Sequence, residues 1–211
     1  MDIQQIYFDK ITEAYKRLNA SVYYLDGFDK SGAIIDLESA VLQLRKALEC
    51  IVYSSVAPNV AKYKEFRSKS NGNKDFTKDF NGSKILKALN AINKDFYPIT
   101  YGHPYRGEDG LVHFPQRKNP FPRNKFEKLY DRLGKFLHAD NPWGDDKGYQ
   151  NLAQALPDEI DAIKDMLGFY LTVVRTHDFQ GMWIVEISPE TGVPVMHVGQ
   201  ADGEFVVNIE S

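Results

Sequence analysis

The chain has 211 residues, 43% of them hydrophobic and 26% charged, which is ordinary globular usage and excludes disordered, collagen-like and disulfide-scaffold classes. Its single cysteine, Cys50, excludes an internal disulfide and any multi-cysteine zinc or iron–sulfur site. No apolar run approaches the ~18 residues of a membrane span, and the opening MDIQQIYFDK is not a signal peptide, so a cytoplasmic protein with no membrane partner is expected.

The net charge of −3 hides a polarity along the chain. Residues 62–128 hold 15 Lys+Arg against 7 Asp+Glu, while the remainder holds 11 against 22. A basic middle between acidic ends suits an anionic partner such as RNA, or self-association through opposite charge. It equally suits a solvated surface with uneven charge.

Residues 2–25 carry Ile3, Ile6, Tyr7, Ile11, Ala14, Leu18, Val22 and Leu25 at steps of three and four, which predicts a helix with one buried face. The stretch 26–32 (DGFDKSG) supplies turn chemistry to end it. A second helix is expected from Asp36 as N-cap, with a heptad seam of Leu37, Val41, Leu44, Leu48 and Ile51. Pro58 should disturb it, with 61–66 resuming. Residues 68–83 are polar and rich in Gly and Asn, hence a surface connection.

Ser83 then caps a third helix through Ile85, Leu86, Leu89, Ile92 and Phe96. Residues 97–122 form a long loop, a length that is often functional. Pro122 opens a fourth helix whose apolar face is Phe126, Leu129, Leu133, Phe136 and Leu137, and Asn141-Pro142 stops it. A fifth helix is expected over 157–171. The segments 182–187, 194–198 and 204–209 are β-branched and aromatic runs separated by strong turn signals, which predicts an antiparallel meander. The fold class is thus mainly α: a bundle of about five helices over residues 1–172, with a β meander at 173–211 packed on it.

Walker, GxGxxG, HExxH and GxSxG motifs are all absent, and no Cys/His pattern suggests a metal, so no cofactor is expected. Of the five histidines, His103 and His113 fall in the long loop, and His177 and His197 fall near or in the strands. His138 stands out. A fourth helix continued through 138 turns it away from the apolar face, in line with Asp131 and near Gly134 and Lys135. The helix C-terminus favours the imidazolium form, and Arg132 lies six residues earlier. Imidazole to move protons and guanidinium to hold a phosphate is a combination suited to phosphodiester cleavage; a plain polar helix end has the same composition.

The string DRLGKFLH, with its Arg132-x5-His138 spacing near the end of a late helix, resembles the RxxxxH-type motif of the HEPN superfamily. The second helix, with Arg45 and Glu49 on a heptad frame, is also similar to HEPN-type bundles. The resemblance implies a helical core that dimerises with the motif at the interface, and many members are metal-independent ribonucleases of toxin–antitoxin, CRISPR or phage-defence systems. By that resemblance Arg132 would bind the scissile phosphate, and His138 would act as general acid/base while the ribose 2′-OH attacks. The residue after the arginine, commonly polar in the family, is Leu133 here. A second match, Arg106-x6-His113, lies in the loop and is read as chance.

Asp131 and Lys135 flank the motif as supporting residues. Glu38, Arg45 and Glu49 form a stripe that either faces the His138 helix and tunes it, or is a solvated rim ion pair. In 113–128, Phe114, Phe121 and Phe126 alternate with Arg117, Lys118, Arg123, Lys125 and Lys128, a mixture that serves base stacking and phosphate contact or simply anchors the loop. Three functions follow: a dimeric HEPN-like endoribonuclease, a catalytically silent HEPN-like module that holds a protein partner, and an RNA-binding protein that does not cleave.

Overall fold

The computed structural model describes residues 2–70, 74–108, 110, 112–144, 147–176 and 179–200. It is mainly α, with six helices: α1 (Ile3–Ser31), α2 (Ile34–Val56), the short α3 (Val60–Ser68), α4 (Gly82–Ile92), α5 (Arg123–Phe136) and α6 (Tyr149–Gly168). Six strands accompany them: β1 (Ile99–Thr100), β2 (Tyr105–Arg106), β3 (Val112–His113), β4 (Phe169–Arg175), β5 (Gln180–Ile187) and β6 (Pro194–Gln200). β1, β4, β5 and β6 form one antiparallel sheet in that order, and β2 and β3 form a separate hairpin. Among the described residues no helix is long and apolar enough to cross a membrane.

α1 and α2 make an antiparallel hairpin, fixed in register where Ser21 Oγ donates to the Ala40 carbonyl (2.9 Å) and Arg17 donates to Gln43 (2.9 Å). Every member of the expected α2 seam is buried. α1 runs six residues past its expected end, however. Phe28 continues the buried stripe at 3% exposure and holds Asp26-Gly27 helical. The stop is Gly32, whose left-handed φ of 68° lets its N–H bond the Phe28 carbonyl (2.7 Å).

Other boundaries shift for similar reasons. Asp36 is not an N-cap: Ala33 holds that position, and the Asp36 carboxylate accepts from Ser31 Oγ (3.1 Å). Asn81 rather than Ser83 caps α4, accepting from the Lys84 N–H (3.0 Å). Pro58 gives one 3₁₀ turn before α3 resumes. α6 begins eight residues before its expected start because its buried stripe of Leu152, Leu156, Ile160 and Ile163 runs straight across Pro157, so packing outweighs the broken backbone bond.

β4 replaces what was expected as the last helical turn. Its run FYLTVVR is buried at all five interior positions, because the sheet is covered on both faces there. The division at 172 falls within β4, and Tyr170, Val174, Trp183, Val185 and Ile187 share one core with the helices. Residues 93–96 clasp this strand. The buried Asn93 amide donates to the Val173 carbonyl (2.9 Å) and to Asn59 (3.1 Å), Thr172 Oγ1 donates to the Phe96 carbonyl (3.3 Å), and Arg175 pairs with Asp95. A second buried tie joins α1 to the sheet, with Tyr7 and Tyr170 hydroxyls 2.6 Å apart beneath the edge of Trp183. The expected strand 204–209 and His177 lie outside the described residues.

Candidate functional site

α5 ends at Phe136, so His138 sits beyond the helix, and its direction is set by the chain that follows rather than by helical phase. That chain is pinned. Lys147 donates to the His138 carbonyl and pairs with Asp140 (2.6 Å), and Tyr149 Oη donates to the same carboxylate (2.9 Å). Together these bonds hold the Asp140 carboxyl below its usual range, Lys147 contributing most. His138 is exposed, and its ring has no hydrogen-bond partner among the described residues. Leu137 (37%), the residue before it, and Trp143 (90%), five residues after it, are exposed.

Arg132 is half-buried on one edge of α5. Seven of the eight arginines donate to a carboxylate, amide or carbonyl. Of the arginines, Arg132 alone makes neither a hydrogen bond nor an ion pair among the described residues. Lys135 is likewise exposed and unpartnered there. Asp131 turns the other way and accepts from Ser83 Oγ of α4 (3.2 Å), so it does not engage His138.

Arg45 and Glu49 face α5 as well as forming an i,i+4 pair (3.6 Å). The Arg45 guanidinium lies 3.9 Å from the Tyr130 ring centre and donates to the Tyr130 carbonyl (2.8 Å). Tyr130 Oη donates to Glu49 (3.0 Å) and accepts the Gly82 N–H (3.2 Å), so one side chain joins α2, α4 and α5. Gly134 makes room for this: a Cβ there would lie 2.8 Å from Arg45 Nη1. The lone Gly134 in a helical pattern was the sequence sign of this close approach.

The expected RNA contacts divide. A cavity of about 650 Å³ is lined by Arg117, Lys118 and Arg123, joined by Lys94, which the sequence reading did not include. Lys125 is elsewhere, paired with Glu159 of α6 (2.9 Å) and lying over the Phe121 ring. Phe121 and Phe126 are fully buried core residues, and Phe114 stacks on Phe169. None of these three rings offers itself to a base.

Arg132 and His138 line neither this cavity nor two further ones, beside Arg67 and beside Ile3. Nine residues separate Arg123 from Arg132, half a turn around the helix, so the cavity and the motif lie on opposite edges of α5. In the loop, Arg106 and His113 belong to the β2–β3 hairpin, with His113 stacked on Tyr105 and Arg106 donating to the Gly110 carbonyl (2.8 Å). Among the described residues no cluster of three or more His, Cys, Asp or Glu is placed to hold a metal ion.

No family model matches the chain, and no curated protein or solved structure matches it either.

Proposed function

We propose that this chain is a HEPN-like, metal-independent endoribonuclease acting as a homodimer, with Arg132 holding the scissile phosphate and His138 moving the proton. The observation that carries the reading is the unpartnered guanidinium of Arg132, six residues before an exposed, unpartnered imidazole, in a protein whose other arginines are all engaged. A guanidinium with no internal partner is open to bidentate contact with phosphate oxygens. The exposed apolar Leu137 and Trp143, close to the motif along the chain, support a site whose second wall is another copy. Within that reading, Arg45 and Glu49 are positioning residues that hold the last turns of α5 in place.

The test is cleavage of a mixed RNA pool in EDTA by wild type, His138→Ala and Arg132→Ala. Cleavage by the wild type that both substitutions remove is the expected result. Equal cleavage by all three would place the activity elsewhere. A second reading, the catalytically silent module, draws on the full burial of Leu133 next to Arg132, a position that offers no polar group to the site. No cleavage by any form at high protein concentration would select it.

A further inference from the structure

The cavity on the far edge of α5 is a built groove. One wall is residues 94–100 and the other is 116–123. Four bonds hold them together: Tyr97 Oη to the Phe121 carbonyl (2.8 Å), Asn119 Nδ2 to the Pro98 carbonyl (2.8 Å), Thr100 Oγ1 to the Arg117 carbonyl (3.1 Å), and the Arg117 N–H to the Thr100 carbonyl (3.2 Å). The walls are therefore fixed before any ligand arrives.

The lining combines apolar and cationic side chains. Tyr97, Pro98, Ile99 and Pro122 supply the apolar surface, while Lys94, Arg117, Lys118 and Arg123 supply charge. The one lining acid, Asp95, is taken by Arg175. Arg117 is anchored by Asp165, both to its carboxylate (2.9 Å) and to its carbonyl (3.0 Å), and Arg123 by Asn90 and Glu127. Lys94 and Lys118 are exposed and have no partner among the described residues. With Arg117, Arg123 and Asp95 each offset by an opposite charge, Lys94 and Lys118 leave the groove a net positive charge.

The geometry points to a binding groove for single-stranded RNA, with phosphates on Lys94 and Lys118 and an unstacked base against the apolar part of the lining. This rests on the reading that RNA is the substrate, and it assigns strand capture to a place separate from the scissile chemistry. A duplex keeps its bases stacked inside and cannot use apolar lining residues, whereas a single strand can splay its bases onto them. α5, about 21 Å long at 1.5 Å per residue, separates the groove from His138. A strand lying in the groove thus reaches the motif only by crossing α5, or through the second copy.

The experiment is fluorescence anisotropy with a labelled, unstructured 12-nucleotide RNA in EDTA, on full-length protein carrying His138→Ala to prevent turnover. Lys94→Glu with Lys118→Glu is compared with Lys16→Glu with Lys30→Glu, an equal charge change on exposed positions of α1. The groove pair is expected to weaken binding at least tenfold and to lower the salt slope by about 1.4, for two phosphates at ~0.7 each. Equal weakening by both pairs, or by neither, would overturn the assignment. So would displacement of the labelled strand by uridine monophosphate at matching concentration. Cleavage is scored separately with His138 intact: groove-dependent binding without cleavage would sink the nuclease and leave the groove standing.

Discussion

Gly134→Ala separates two effects that pull in opposite directions. Replacing glycine with alanine inside a helix is ordinarily worth about 1 kcal/mol in favour of the folded state. Here the new Cβ would meet Arg45 Nη1 at 2.8 Å, and the guanidinium, as the end of a flexible side chain, gives way. It then leaves the Tyr130 carbonyl and the Tyr130 ring. A hydrogen bond from a charged donor is worth about 1.5–3 kcal/mol, and a cation–π contact about 0.5–1 kcal/mol. The losses outweigh the propensity gain, for a net destabilisation of about 2 kcal/mol. In a chain of this size that lowers Tm by roughly 4–8 °C. The assay is thermal or urea unfolding of Gly134→Ala, Arg45→Met and the double variant. With Arg45 already gone the contact has nothing left to lose, so Gly134→Ala should stabilise the Arg45→Met protein by about 0.5–1 kcal/mol. The same sign of effect in both backgrounds would refute the reasoning.

Three further outcomes are expected. Tyr7→Phe strands the Tyr170 hydroxyl in the core, costing about 1–3 kcal/mol, whereas Tyr7→Phe with Tyr170→Phe should cost less than the two singles combined in urea titrations. The Glu13 carboxyl, bonded by Lys10 and Arg17, is held down to about 2 from an ordinary value of 4.5. Its contribution is therefore complete above pH 4.5 and is lost as pH falls toward 2, so Glu13→Gln should flatten the stability curve across that window, lowering stability at neutral pH and changing it little near pH 2. Burial pushes the Cys50 thiol up to about 11, so at pH 8 a disulfide reagent should label it only as fast as the native protein opens, and a rapid stoichiometric reaction would contradict that.

Helix faces were legible because periodicity reports burial directly: the apolar stripe of α2 lies where the spacing puts it, and so do those of α4 and α5 except at their last members, Phe96, which is buried beyond the end of α4, and Leu137, which is exposed beyond the end of α5. Element ends were not, because they are decided by contacts far along the chain. Phe28 overrides an Asp-Gly turn signal by packing into the core, and nothing local to residues 26–32 says so. β4 was hidden for a related reason: a strand buried on both faces loses the alternation that would distinguish it from a helix. At the site, the exposure of His138 followed from its place at a helix end, but its exit from the helical phase depends on Lys147, Asp140 and Tyr149. The Arg45 stripe could have met water or α5, and Tyr130 with Gly134 decides it. The groove draws Lys94 and Arg123 together from positions 29 residues apart, which no window along the sequence can see.

The clasp of residues 93–96 on β4 bears on how this chain can be inherited. A sheet that merely leaned on the bundle could be exchanged between proteins by recombination, or lost, with little cost to the helices. Here the amide of one asparagine, at the end of α4, serves the backbone of β4 and the side chain of a second asparagine before α3. A chimaera that kept the helices and took another sheet would leave that amide donor without its strand carbonyl, and one that moved the sheet would carry away an acceptor with no donor. Exchange of the sheet alone therefore carries a cost in buried hydrogen bonds that a change in the β2–β3 hairpin, which the clasp does not touch, avoids.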